Sequence, residues 1–178
     1  MSHSANIIDT DKHYIINPNN RSISRDSTEE SSEVIAQYDH KSERLTFELP
    51  RYVDSHDMSK CGKIKVYYRN IDTYGRKIQK GCYRVSDMMI DDSGENILFS
   101  WLIHDNATQY VGTLKFSIRF ICEVGNVVDY IWNTNLYSGL KVVESIYNDG
   151  EIEETDNSGI VTTTAALDTA ILDTMKLA

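Results

Sequence analysis

The segment YVGTLKFSIRFICEVGNVVDYIWNT, residues 110–134, constrains this chain more than any other stretch. Leu114, Phe116, Ile118, Phe120 and Cys122 are apolar, while Lys115, Ser117 and Arg119 between them are polar. A period of two puts successive side chains on opposite faces of an extended backbone, so the run reads as a strand with one buried face. Val-Gly-Asn then turns the chain into a second apolar run ending in Tyr130 and Trp132. The segment is expected to be a core hairpin, with Lys115, Ser117 and Arg119 outward and nothing on it arranged for chemistry.

The same alternation recurs upstream. Leu45, Phe47 and Leu49 share a face of ERLTFELP, where Pro50 stops the ladder. In KIKVYYRNI, Ile64, Val66 and Tyr68 oppose Lys63, Lys65 and Arg69. CYRVSDMMI, the turn DDSGEN, ILFSWLI and LKVVESI complete the set. Roughly seven to nine short strands separated by turns predict an all-β fold, an antiparallel β-sandwich, over residues 33–147.

The flanks read differently. Residues 1–32 are polar apart from the short pulse HYIINP. Such a composition cannot offset the entropy of ordering, so an extended N-terminal arm is expected, ordered only against a partner. Residues 148–160 read as an acidic linker, and residues 161–178 as a C-terminal amphipathic helix. Leu167, Ala170, Ile171, Thr174 and Met175 fall on one stripe of that helix, with Asp168, Asp173 and Lys176 away from it. Leu172 and Leu177 lie off the stripe, and a helix apolar on two sides suits a bundle. About four turns are marginal alone in water, so these five residues are the candidate oligomerisation surface of a homo-dimer or trimer.

Composition narrows the partners. Net charge is −9, from 18 basic and 27 acidic residues, a balance ill-suited to a nucleic-acid backbone. No segment approaches the roughly 20 apolar residues of a membrane helix. The start, MSHSANIIDTDKHYIIN, lacks the basic end and long apolar stretch of an export signal. Three cysteines (Cys61, Cys82, Cys122) cannot all pair with one another, and none forms C-x-x-C, which suits a reduced compartment. Cys122 continues the inward row and is expected as a buried core thiol.

Little in the sequence suggests catalysis. His40, His56 and His104 each have an acidic neighbour, but no spacing such as H-x-x-x-H collects ligands on one face, so all three read as turn residues. G-x-S-x-G, the P-loop and G-x-G-x-x-G are missing. Asp91, Asp92 and Glu95 read as a hairpin turn, and Asp149 to Asp156 as a solvated linker, rather than calcium ligands. Tyr67, Tyr68, Tyr74, Tyr83, Tyr110, Tyr130 and Tyr137 are expected to pack in the core or at its rim. No catalytic, cofactor or metal site is expected.

Four blocks carry a resemblance: IIDTDKHYIINPNNRSI, IAQYDHKSERLTFELPRYVDSHDMS, SWLIHDNATQYVGTLKFSIRF and DYIWNT. They resemble small virion proteins of phages and prophages of gut bacteria, and the resemblance covers residues 5–146, most of the chain. The module is similar to the N-terminal β-sandwich domain of phage upper-baseplate proteins. The resemblance implies a non-enzymatic structural or adaptor protein, made in the host cytoplasm and carried in the virion. It implies capsid, fibre or baseplate partners, as a head decoration, head-fibre component or baseplate adaptor. The alternative is a phage module that binds a host-surface glycan or protein through exposed tyrosines. The resemblance supplies no catalytic residues.

Overall fold

The computed structural model describes residues 12–26, 33–147, 150–156 and 159–162. The chain divides into two compact units between Ser145 and Ile146.

The first unit is a sandwich of two sheets, with strands numbered in chain order. The five-stranded sheet runs β2 (Ile23–Arg25), β1 (Lys12–Ile16), β4 (Arg44–Pro50), β10 (Asn96–Leu102), β9 (Met89–Ile90). The six-stranded sheet runs β3 (Val34–Ala36), β13 (Tyr137–Val143), β11 (Gly112–Val124), β7 (Lys63–Asp72), β8 (Ile78–Arg84), with β12 (Val127–Asn133) also paired to β11. A small ribbon, β5 (Tyr52–Val53) with β6 (His56–Asp57), precedes a 3-10 turn at Met58–Lys60.

Aromatic rings join the two sheets. Phe116 of β11 meets Phe47 of β4 edge-on at 5.6 Å and Trp101 of β10 at 5.3 Å. Phe99 meets Phe120 at 5.5 Å, and Tyr68 stacks on Trp101 at 5.4 Å. Leu45, Phe47, Leu49, Ile97, Phe99, Leu114, Phe116, Ile118 and Phe120 are all fully or almost fully buried, as the period-two pattern requires. Buried Asn70 fastens the loop before β11: its side chain donates to Tyr110 O at 2.9 Å and accepts from Tyr110 N–H at 2.7 Å. Gly112 then enters β11 at φ 152°, where a β-carbon would collide with the Ile71 carbonyl.

The sandwich is not wholly antiparallel. β1 runs parallel to β4, and β3 parallel to β13, while the other pairs of the two sheets are antiparallel. Both parallel partners come from the N-terminal quarter, and over residues 12–26 the expected arm is corrected. Tyr14 and Ile16 have no exposed surface, and β1 lies between β2 and β4. Within the polar stretch that suggested an arm, Asn17–Ser22 is the turn of the β1–β2 hairpin. Asn17 and Asn20 side chains accept from the Asn19 and Ser22 amides at 2.8 and 3.0 Å, and Arg21 sits at φ 65°. Its polarity is that of a turn whose flanking strands bring the apolar payload.

Cysteine chemistry needs a second correction. Cys122 is not a free thiol; it is disulfide-bonded to Cys61, leaving Cys82 free and exposed. Lys63 faces Ile121 across the β7–β11 ladder, so the residues just beyond that pair are brought together although 61 positions separate them. Local spacing carries no trace of such a pairing.

In the second unit, β14 (Ile152–Thr155) pairs antiparallel with β15 (Gly159–Thr162). The stretch read as an acidic linker thus contains a hairpin, although residues 150–156 are exposed as that reading supposed. The expected C-terminal helix begins with Val161 and Thr162, which are strand. Its stripe, Leu167, Ala170, Ile171, Thr174 and Met175, lies outside the described residues.

Candidate functional site

The β11–β12 hairpin is core for only part of its length. Ile121 is the last residue of β11 with a partner on β7, opposite Lys63. Cys122–Val124 and the start of β12 run on past the sheet. Three contacts hold the base of this overhang. Cys122 is bonded to Cys61, Tyr130 stacks on His56 at 3.7 Å, and Glu123 pairs with Lys63 at 2.7 Å. The tip carries Val124, Val127 and Val128, 69, 71 and 51% exposed, around a turn in which Gly125 adopts φ 65°. Ile131 adds a further exposed apolar side chain on β12. Exposed apolar side chains grouped at a fixed strand end make this tip the candidate contact surface. The expectation that this hairpin is simply core therefore holds for Leu114–Phe120 and fails at its tip.

A second concave feature lies at edge strand β8. A cleft of about 430 Å³ is lined by Tyr68, Tyr83, Arg84, Trp101, His104 and Asn106, with Cys82 at its rim. Asn106 is clamped there, donating to Tyr68 Oη at 2.7 Å and accepting from Gln79 Nε2 at 2.6 Å. Gly81 makes room for the Tyr68 phenol, which a β-carbon would strike. The Tyr68 hydroxyl accepts from Asn106 and so keeps its own proton to donate. His104 Nδ1 donates to Leu102 O at 2.9 Å, which leaves Nε2 as the acceptor of the neutral ring. A donor, an acceptor and aromatic walls thus meet in one open cleft.

Of the histidines read as turn residues, His40 and His104 lie in loops, whereas His56 is in strand β6, opposite Val53. His40 meets His104 edge-on at 5.1 Å, and its Nδ1 accepts from the Asp105 amide at 3.0 Å. Two separate Asp/His dipeptides thereby lock the 39–40 and 104–105 loops together. Among the described residues no group of three or more His, Cys, Asp or Glu is placed to hold a metal ion. DDSGEN is the expected hairpin turn, with Gly94 at φ 76° and Asp91 accepting from Ser93 and Asn96.

No protein-family model and no curated protein matches the chain.

The tyrosines divide by environment. Tyr68 is buried, and Tyr83, Tyr130 and Tyr137 pack against the core. Tyr74 is 80% exposed at the β7–β8 turn, with the Arg76 guanidinium 5.7 Å from its ring. Tyr137 does not present its hydroxyl to solvent; it donates to Glu33 Oε1, which Tyr14 Oη also reaches at 3.4 Å. Burial, and then the bond to Glu33, push the Tyr137 phenol well above its ordinary range, and burial does the same for Tyr14. Among the described residues no helix is long and apolar enough to cross a membrane.

Proposed function

We propose that this chain is a non-enzymatic structural or adaptor protein of a phage particle, attached by its projecting hairpin to a neighbouring virion protein. The observation that carries the reading is the valine tip of the β11–β12 hairpin, exposed at its end and fastened at its base. A docking element needs that combination, because a rigid apolar anchor loses little entropy on binding. The resemblance of the sequence to small virion proteins supports the same reading. Head decoration, head-fibre component and baseplate adaptor are the positions it implies.

The test is the composition of purified particles. The protein is expected there in fixed stoichiometry, and particles assembled with V127K/V128K are expected to lose it while the free variant keeps its fold. Particles without the wild-type protein would defeat the proposal.

The alternative, a module that binds a host-surface glycan, is favoured by the Tyr68–Tyr83–His104 cleft. Aromatic walls suit the apolar face of a sugar, and the Tyr68 donor and His104 acceptor suit its hydroxyls. Glycan-array binding abolished by Tyr83→Ala and retained by Tyr74→Ala would select this cleft over the exposed turn.

A further inference from the structure

The outer face of the six-stranded sheet is basic in a chain whose net charge is −9. Strand register arranges six cations in two rows across β8, β7 and β11. Arg84 faces Lys65 and Lys65 faces Arg119; Lys80 faces Arg69 and Arg69 faces Lys115. Between the rows lies the uncharged line Cys82, Tyr67 and Ser117. Like charges directly opposite one another destabilise a sheet, and here four such pairs adjoin. Among the described residues none of the six takes part in an ion pair. Arg69, Lys80, Arg84 and Arg119 are exposed. Arg119 lies over the Tyr67 ring at 5.6 Å, and a groove of about 280 Å³ runs beside Tyr67, Lys80, Lys115 and Leu136. This arrangement costs stability in the isolated chain and becomes favourable against an anionic partner.

The chain itself contains a matching surface. Glu151, Glu153, Glu154 and Asp156 are all exposed on and around β14, in a two-stranded hairpin. A hairpin of two strands is marginal at best in water and gains from lying against another surface. Extended backbone sends Glu153 and Glu154 to opposite sides of β14, so carboxylates face both ways.

We propose that the basic sheet face of one copy docks the acidic β14 hairpin of a second copy. The contact joins two different surfaces, so repetition builds a ring or a filament, and two copies that exchange it reciprocally close a dimer. The proposal uses neither the hairpin tip nor the particle, and it stands or falls separately from them.

The test is sedimentation velocity on the full chain at low salt, about 20 mM, and at about 500 mM, where exposed charges are screened. The wild type is expected to associate with increasing concentration at low salt and at least ~10-fold more weakly at high salt. Face reversal (K65E/R69E/K115E) and hairpin reversal (E151K/E153K/E154K) are each expected to leave monomers. A mixture of the two variants associates again, as does one chain carrying both reversals, which misfolding does not produce. The face variant is expected to melt no lower than wild type, because it turns three of the four like-charge pairs into opposite-charge pairs. A wild-type chain that stays monomeric at low salt, or a face variant that associates like wild type, overturns the proposal. Heparin binding by a chain that remains monomeric also overturns it, by making the occupant a foreign polyanion.

Discussion

Tyr14 of β1 meets Tyr137 of β13 edge-on, their ring centroids 5.3 Å apart, and both hydroxyls converge on one oxygen of Glu33. The contact ties an N-terminal strand of one sheet to a C-terminal strand of the other. Tyr137→Phe leaves the Glu33 carboxylate short of a donor and is expected to cost about 1 kcal/mol in thermal or urea unfolding.

Alkali should act on the same pair. Their phenols titrate well above the ordinary value of about 10, so the stability they contribute is complete below about pH 10 and falls as pH rises beyond it. Spectroscopic titration is expected to show two tyrosines that ionise only as the fold is lost. Ionisation of all tyrosines before any loss of near-ultraviolet circular dichroism would contradict this.

β1 is an interior strand, so removal of its largest side chain should be severe. Tyr14→Ala is expected to destabilise by ~3–5 kcal/mol, the range for truncating a buried aromatic. In limited proteolysis of the native wild type, residues 12–26 should survive intact. Early cleavage within Lys12–Ile16 would show that the strand is not docked.

The Cys61–Cys122 bridge closes a loop of 61 residues and anchors the overhanging hairpin. Removing it by Cys61→Ala/Cys122→Ala is expected to cost about 2–4 kcal/mol. Under native conditions an alkylating reagent should label Cys82 alone. Labelling of all three cysteines without reductant would rule the bridge out.

Arg51 grips Asp57 through two bonds of 3.1 Å, and Ser59 donates to the same carboxylate from its amide and hydroxyl. The Arg51 bonds, followed by those from Ser59, hold the Asp57 carboxyl down at about 2. A depressed carboxyl contributes its full stability above the unfolded value of about 3.9 and loses it as pH falls toward 2. Asp57→Asn should therefore melt lower than wild type near neutrality, by about 1 kcal/mol, with the gap closing between about pH 4 and 2. A gap independent of pH would remove Asp57 ionisation as the cause.

The sandwich core was legible because the pattern at Leu45–Leu49, Ile64–Tyr68 and Leu114–Phe120 has the period of its backbone. Tyr14 and Ile16 were misread because a strand of five residues followed by Asn-Pro-Asn-Asn looks, in composition, like an unstructured arm. The outward positions of Lys65, Arg69, Lys115 and Arg119 were also legible one strand at a time. Their assembly into rows was not, since register between strands depends on which partners pair. The Cys61–Cys122 bond, the His40–His104 contact and the cleft at Tyr83 were hidden for the same reason. Each joins residues that only the completed sheets bring together.

The parallel pairing of β3 with β13 bears on how the molecule is made. Val34 finds its partner Lys141 about a hundred residues later, and β1 also waits for β4 before it has a second neighbour. On a ribosome adding about 5–20 residues per second, β3 leaves the exit tunnel several seconds before its partner is synthesised. During that interval Ile35, buried in the finished protein, lacks β13, and Tyr14 lacks the Phe116 and Tyr137 rings that help bury it. A nascent chain of this sequence therefore stays open until nearly all of its first unit has been translated, and that is when it is most exposed to holding factors and proteases.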